Sequence, residues 1–81
     1  MNSIQELKQK KAEYIQQKAD EIQASMVNSN HLTYKLSTCD YSGWDIELHR
    51  NFKDISHELE IRGFKVTYTV NHGVYDWVIS L

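Results

Sequence analysis

The stretch from Glu58 to Leu81, ELEIRGFKVTYTVNHGVYDWVISL, constrains the fold more than any other part of the chain. A helical apolar pattern runs out at Leu59, Ile61 and Arg62, and Gly63 follows it. Glycine adopts the left-handed conformation that closes a helix, because it has no Cβ to clash. Beyond it, Phe64, Val66, Tyr68 and Val70 alternate with Lys65, Thr67 and Thr69, the period of two that marks a half-buried strand. Asn71-His72-Gly73 supplies a turn, since Asn and Gly tolerate positive φ. On the return, Tyr75, Trp77, Ile79 and Leu81 share one face, while Val74, Asp76, Val78 and Ser80 share the other. These residues predict a β-hairpin over residues 64–80, entered directly from a helix.

Upstream, Ser3-Ile4-Gln5-Glu6 has the form of a capping box with Ser3 as N-cap. It predicts a helix over residues 3–27, stopped by Asn28-Ser29-Asn30. The apolar stripe is Ile4, Leu7, Tyr14, Ile15, Ala19, Ile22 and Met26, interrupted by Lys11 and Lys18, so the C-terminal half is the better core helix. At about 1.5 Å per residue such a helix spans roughly 36 Å. A seven-residue strand covers only about 23 Å. The end from Ile4 to Tyr14 is therefore expected to overhang its sheet.

Alternation over residues 32–37 predicts the first strand, with Leu32, Tyr34 and Leu36 inward. A loop of turn formers, Thr38 to Gly43, leads to a second helix over residues 44–62, opened near Ser42 and Asp45. Its stripe is Leu48, Phe52, Ile55 and Leu59. A competing pattern exists, because Trp44, Ile46 and Leu48 also alternate, and Asn51 with Asp54 suits a shorter helix starting at Phe52. Leu48 continues the helical stripe without a break and favours the longer helix.

The order α-β-α-β-β predicts a single α+β domain over residues 1–81. It has two layers, with two helices packed on one face of a three-stranded sheet that ends in a C-terminal β-hairpin. The last strand is the most apolar and belongs in the centre, antiparallel to the first. The uncovered face then shows Thr33, Lys35, Ser37, Lys65, Thr67, Thr69 and Asp76, with Val74 and Val78 as the two members that favour cover.

Composition narrows the function classes. Nine Lys and Arg against eleven Asp and Glu give a net charge of -2, which argues against a general nucleic-acid binder. One cysteine, Cys39, forbids an internal disulfide and fits a reducing cytoplasm. Residues 1–25 are polar and rich in Lys and Gln, with no signal-like or membrane-spanning run, so a cytoplasmic protein without membrane attachment is expected.

Chemistry-bearing residues are spread out. His31, His49, His57, His72 and Cys39 contain no closely spaced ligand pair, so no metal is expected. Cys39, Asp40, Asp45, His72 and Asp76 are the groups available for acid–base or nucleophilic work, but a two-layer domain of this size offers little water-excluding volume. No enzyme activity and no cofactor are expected. Gly43 precedes a helix start where backbone amides bind anions, yet Asp45 opposes an anion there. Tyr34, Tyr68 and Trp77 with Lys35 and Lys65 suggest a base-stacking platform, but alternation puts the rings and the lysines on opposite faces.

In segment order the chain resembles small accessory proteins encoded by tailed phages and prophages of Gram-positive bacteria. Leu59, Gly63, Phe64 and Val66 fit an L-x-x-x-G-[FY]-x-V pattern, and Ile79-Ser80-Leu81 stands where such chains close, with Leu81 in place of a common tryptophan. The resemblance implies a setting of host takeover or counter-defence, with stoichiometric action on a host or phage macromolecule or sequestration of a signalling nucleotide. It transfers no functional residue. The expectation is thus a non-enzymatic protein that binds another protein and works as a homo-oligomer, through Ile4, Leu7, Lys11 and Tyr14 with Val74 and Val78. The first alternative is capture of a small anionic ligand by Lys35, Tyr41, Trp44, Arg50 and Arg62. The second is nucleic-acid binding.

Overall fold

The computed structural model describes residues 3–81. It contains α1 (Ser3–Ser29), β1 (Thr33–Cys39), α2 (Ile46–Ile61), β2 (Lys65–Asn71) and β3 (Val74–Ser80). The fold is α+β, with the three strands in the order β1-β3-β2 and both pairings antiparallel. The central position of β3 follows from its composition: Trp77 and Ile79 are buried on the helix side, and Val74 and Val78 are half-buried on the other.

Both helices end in the same way, for the same backbone reason. In α1, Asn30 takes φ 57°, and the amides of Asn30 and His31 reach back to the carbonyls of Val27 (3.3 Å) and Met26 (3.1 Å). In α2, Gly63 takes φ 100°, and the amides of Gly63 and Phe64 reach Glu60 and Leu59, each at 3.0 Å. Each pair satisfies carbonyls that the helix end would leave bare. At the other end of α1, Ser3 is itself helical rather than the cap, and Asn2 lies outside the described residues.

Helix α2 begins at Ile46, two residues later than the sequence pattern suggests, and its N-cap is Asp45. The Asp45 carboxylate accepts the Leu48 amide at 3.0 Å. Ser42 and Gly43 instead form a turn closed by the Trp44 amide on the Tyr41 carbonyl (3.2 Å), with Gly43 at φ 92°. That turn excludes Trp44 from the helix. The competing strand over Trp44–Leu48 is absent, and Asn51 lies inside α2, where its side chain donates to the Glu47 carbonyl.

Strand β1 is displaced by a similar amount. It starts at Thr33, so Leu32 precedes the ladder and stays 70% exposed instead of pointing into the core. It runs on through Thr38 and Cys39, both buried, so the loop begins at Asp40 rather than at Thr38. In the hairpin, Asn71 pairs with Val74, and positive φ falls on His72 (53°) and Gly73 (78°). A two-residue loop with this geometry matches the twist of its strands. Gly73 carries a second constraint, because a Cβ there would meet the Tyr41 hydroxyl at 2.9 Å.

The core is Ala19, Ile22 and Met26 of α1, Phe52, Ile55 and Leu59 of α2, and Trp77 and Ile79 of β3. Tyr14, Ile15, Tyr34, Leu36, Leu48, Phe64, Val66 and Tyr75 pack around it. Helix α1 is buried only in its C-terminal part, as its interrupted stripe predicts, and Ser3 to Glu13 are exposed throughout. Among the described residues no helix is long and apolar enough to cross a membrane.

Candidate functional site

Three open surfaces emerge, and they divide the sequence candidates among them. The first is the outward end of α1. Ile4 and Leu7, one above the other at i and i+3, are 60% and 66% exposed. Lys11 and Tyr14 of the same stripe are engaged with the body of the protein. Lys11 Nζ lies 3.1 Å from the Asp54 carboxylate of α2, and Tyr14 is half-buried against the core. Burial raises the Tyr14 phenol above its ordinary range, helped by the negative charges of Asp45, Glu47 and Glu21. Tyr14 therefore anchors the overhang, and Ile4 and Leu7 are the part turned outward.

The second surface is the helix-free face of the sheet. Val78 stands between Lys35 of β1 and Thr67 of β2, and Val74 between Cys39 and Asn71. Both valines are half-buried by these neighbours, and Ser37 donates a hydrogen bond to Asp76 in the row between them. The face is mainly polar, with Val74, Val78 and the buried Cys39 as its shielded apolar positions.

The third surface does not follow from strand alternation. Tyr68 and Val70 face the helix layer as expected, yet they are 50% and 54% exposed. The cause is coverage: α1 rests against the β1 side, which leaves α2 alone over the rest of the sheet. A helix about 10 Å across covers roughly two strands spaced about 4.8 Å apart. The ring of Tyr68 therefore lies on an aromatic shelf. It packs on Trp77 (centroids 4.8 Å apart) and Tyr75 (5.5 Å), while Phe52 covers Trp77 from above (4.1 Å) and His49 meets Tyr75 edge-on (5.1 Å).

Behind this shelf, the Trp77 indole N–H donates to Thr38 Oγ1 at 2.6 Å, and His49 Nδ1 lies 3.0 Å from the same oxygen. Beside it opens a recess of about 360 Å³ lined by Asp40, His49, Arg50, Lys53, Tyr75 and Trp77. Two cations next to aromatic rings suit a flat anion, and Asp40 on the rim opposes one.

The residues proposed for an anionic ligand do not converge. Arg50 lines the recess, but Tyr41 lies across the hairpin turn, Trp44 stands on its own loop, and Lys35 is on the opposite face of the sheet. Arg62 sits at the far end of α2 and is committed to holding the helices together. It bonds Asp20 (2.7 Å), Gln16 (2.8 Å) and Gln23 (3.1 Å) of α1 and Glu58 of its own helix (3.1 Å). The Asp20 hydrogen bond leads the effects that raise its already high pKa. Among the described residues, no group of three or more His, Cys, Asp or Glu is placed to hold a metal ion.

A sequence signal for the third surface is the set of four aromatics, Phe64, Tyr68, Tyr75 and Trp77, on one hairpin face opposite a helix with only a narrow apolar stripe. Compared with models of protein families, with curated proteins and with solved structures, the chain matches none.

Proposed function

We propose that this is a non-enzymatic binding protein, working as a homo-oligomer and acting by stoichiometric association with another protein. In the setting that the phage resemblance implies, that partner is a phage or host protein. The observation that carries the reading is the pair Ile4 and Leu7, both well exposed at the N-terminal end of α1, beside Lys8, Lys10 and Glu13. An apolar contact with a charged rim is the ordinary composition of a protein interface. The partner that fits is an apolar groove whose rim carries carboxylates for Lys8 and Lys10 and a cation for Glu13.

Leu7→Glu tests it. Because Leu7 is exposed, the variant is expected to keep its fold by circular dichroism and to lose at least about tenfold in partner binding, the scale of a single interface anchor. Unchanged partner capture by the folded variant would defeat the assignment.

A second reading is supported by the recess beside Arg50 and Lys53, which suits a small anion carrying a planar ring, such as a nucleotide. Native mass spectrometry of the purified protein separates the two: added small mass, released on denaturation, supports capture of a ligand, and its absence supports the protein-binding reading.

A further inference from the structure

Strand β2 lies at the edge of the sheet, and its centre reads the same in both directions: Val66-Thr67-Tyr68-Thr69-Val70. We propose that two copies of the protein associate through β2, antiparallel about a two-fold axis at Tyr68, so that one continuous sheet runs across both. This deepens the homo-oligomer reading above and assigns the self-contact to β2, apart from the partner-binding end of α1.

Backbone geometry selects the register. The two-residue loop His72-Gly73 closes on a hydrogen-bonded pair, so Asn71 directs its peptide groups toward Val74 of β3. By alternation, Val66, Tyr68 and Val70 direct theirs outward, away from β3. Pairing centred on Tyr68 sets every one of these outward residues against an outward residue of the other copy. A slip of one residue misaligns the donors and sends each side chain to the wrong face.

The side chains agree with the backbone. In this register Val66 of one copy faces Val70 of the other, Thr67 faces Thr69, and Tyr68 faces its own counterpart. β-Branched, threonine and aromatic pairs are the favoured partners across an antiparallel ladder. Lys65 falls opposite Asn71, so no like charges meet. Each Tyr68 ring already rests on Trp77 and Tyr75, and little side-chain freedom remains to be lost on association. The edge also lacks the usual protections: its register to β3 is unbroken by a bulge, and it has no proline and no charge between Val66 and Val70. A strand that complements itself gives an isologous contact that closes at two copies.

Sedimentation velocity over a range of concentrations tests this on the unaltered protein, two double variants of β2 and Leu7→Glu. The unaltered protein is expected to form a concentration-dependent dimer, since contact through one strand belongs to the small interfaces, below about 1,200 Å². Thr67→Lys with Thr69→Lys puts lysine against lysine on both sides of the axis and is expected to weaken the dimer by at least about tenfold. Thr67→Glu with Thr69→Lys puts opposite charges in the same places and is expected to retain it. Both positions are exposed and face Val78 and Asp76 within the monomer, so the variants have room to fold, which circular dichroism verifies. A monomer at every concentration, or a double-lysine variant that dimerises as strongly as the unaltered protein, overturns the proposal. If the dimer instead disappears in Leu7→Glu, the self-contact belongs to α1: the β2 assignment fails and the proposed function survives.

Discussion

Thr38 and Val70 stand in one row of the sheet, on either side of Tyr75, and on the same face. The polar residue is 2% exposed and the apolar residue is 54% exposed. The difference comes from the second layer, which is thick over β1, where α1 and α2 both rest, and thin over β2. Alternation along a strand reports the side to which a residue points. Whether anything lies on that side is decided by elements distant in sequence, and here the two edges of one small sheet received opposite answers.

The sharpest way to break this comparison is to remove the cover. Phe52 lies over Trp77 and is fully buried, so Phe52→Ala is expected to cost about 3–5 kcal/mol in chemical denaturation. For a chain of 81 residues that is a large share of a total near 5–10 kcal/mol. Next comes the buried member of the row. Thr38→Val preserves shape but strands the Trp77 indole N–H without an acceptor, at an expected cost of about 1–3 kcal/mol by the same measurement. The reciprocal change on the thin side, Val70→Thr, is expected to stay within about 0.5 kcal/mol, because the new hydroxyl reaches water. If Val70→Thr cost as much as Thr38→Val, the two edges would be equally covered and the contrast would fail.

Local chemistry was the most legible part of the fold. Gly63 as a helix stop, the turn before Val74 and the central place of β3 all follow from residues adjacent in sequence. Errors arose where two local signals competed. Trp44, Ile46 and Leu48 suited either a strand or a helix, and the cap went to Asp45, whose carboxylate reaches the Leu48 amide. Thr38 has the composition of a turn former, and only its distant partners Trp77 and His49 explain why it lies buried inside a strand. Arg62 was legible as a cation but not as a staple, since Gln16, Asp20 and Gln23 lie a whole strand and helix away. Among the candidate site residues, Ile4 and Leu7 were legible as an overhang. The exposed shelf at Tyr68 was hidden because nothing within β2 records the width of the helix layer.

The strand order has a consequence in time as well as in space. Helix α2, its glycine stop and the β2–β3 hairpin are consecutive in the chain, and their contacts close short loops that cost little entropy. Strand β1 reaches β3 only across the whole of α2 and β2, a closure that is slower to find. Loop closure alone therefore favours pairing of β3 with β2 before β1, which makes the edge that β1 covers the costlier one to fill. A weakened Arg62 staple, which ties α1 to the end of α2, would lengthen the interval in which β3 is open to the wrong strand.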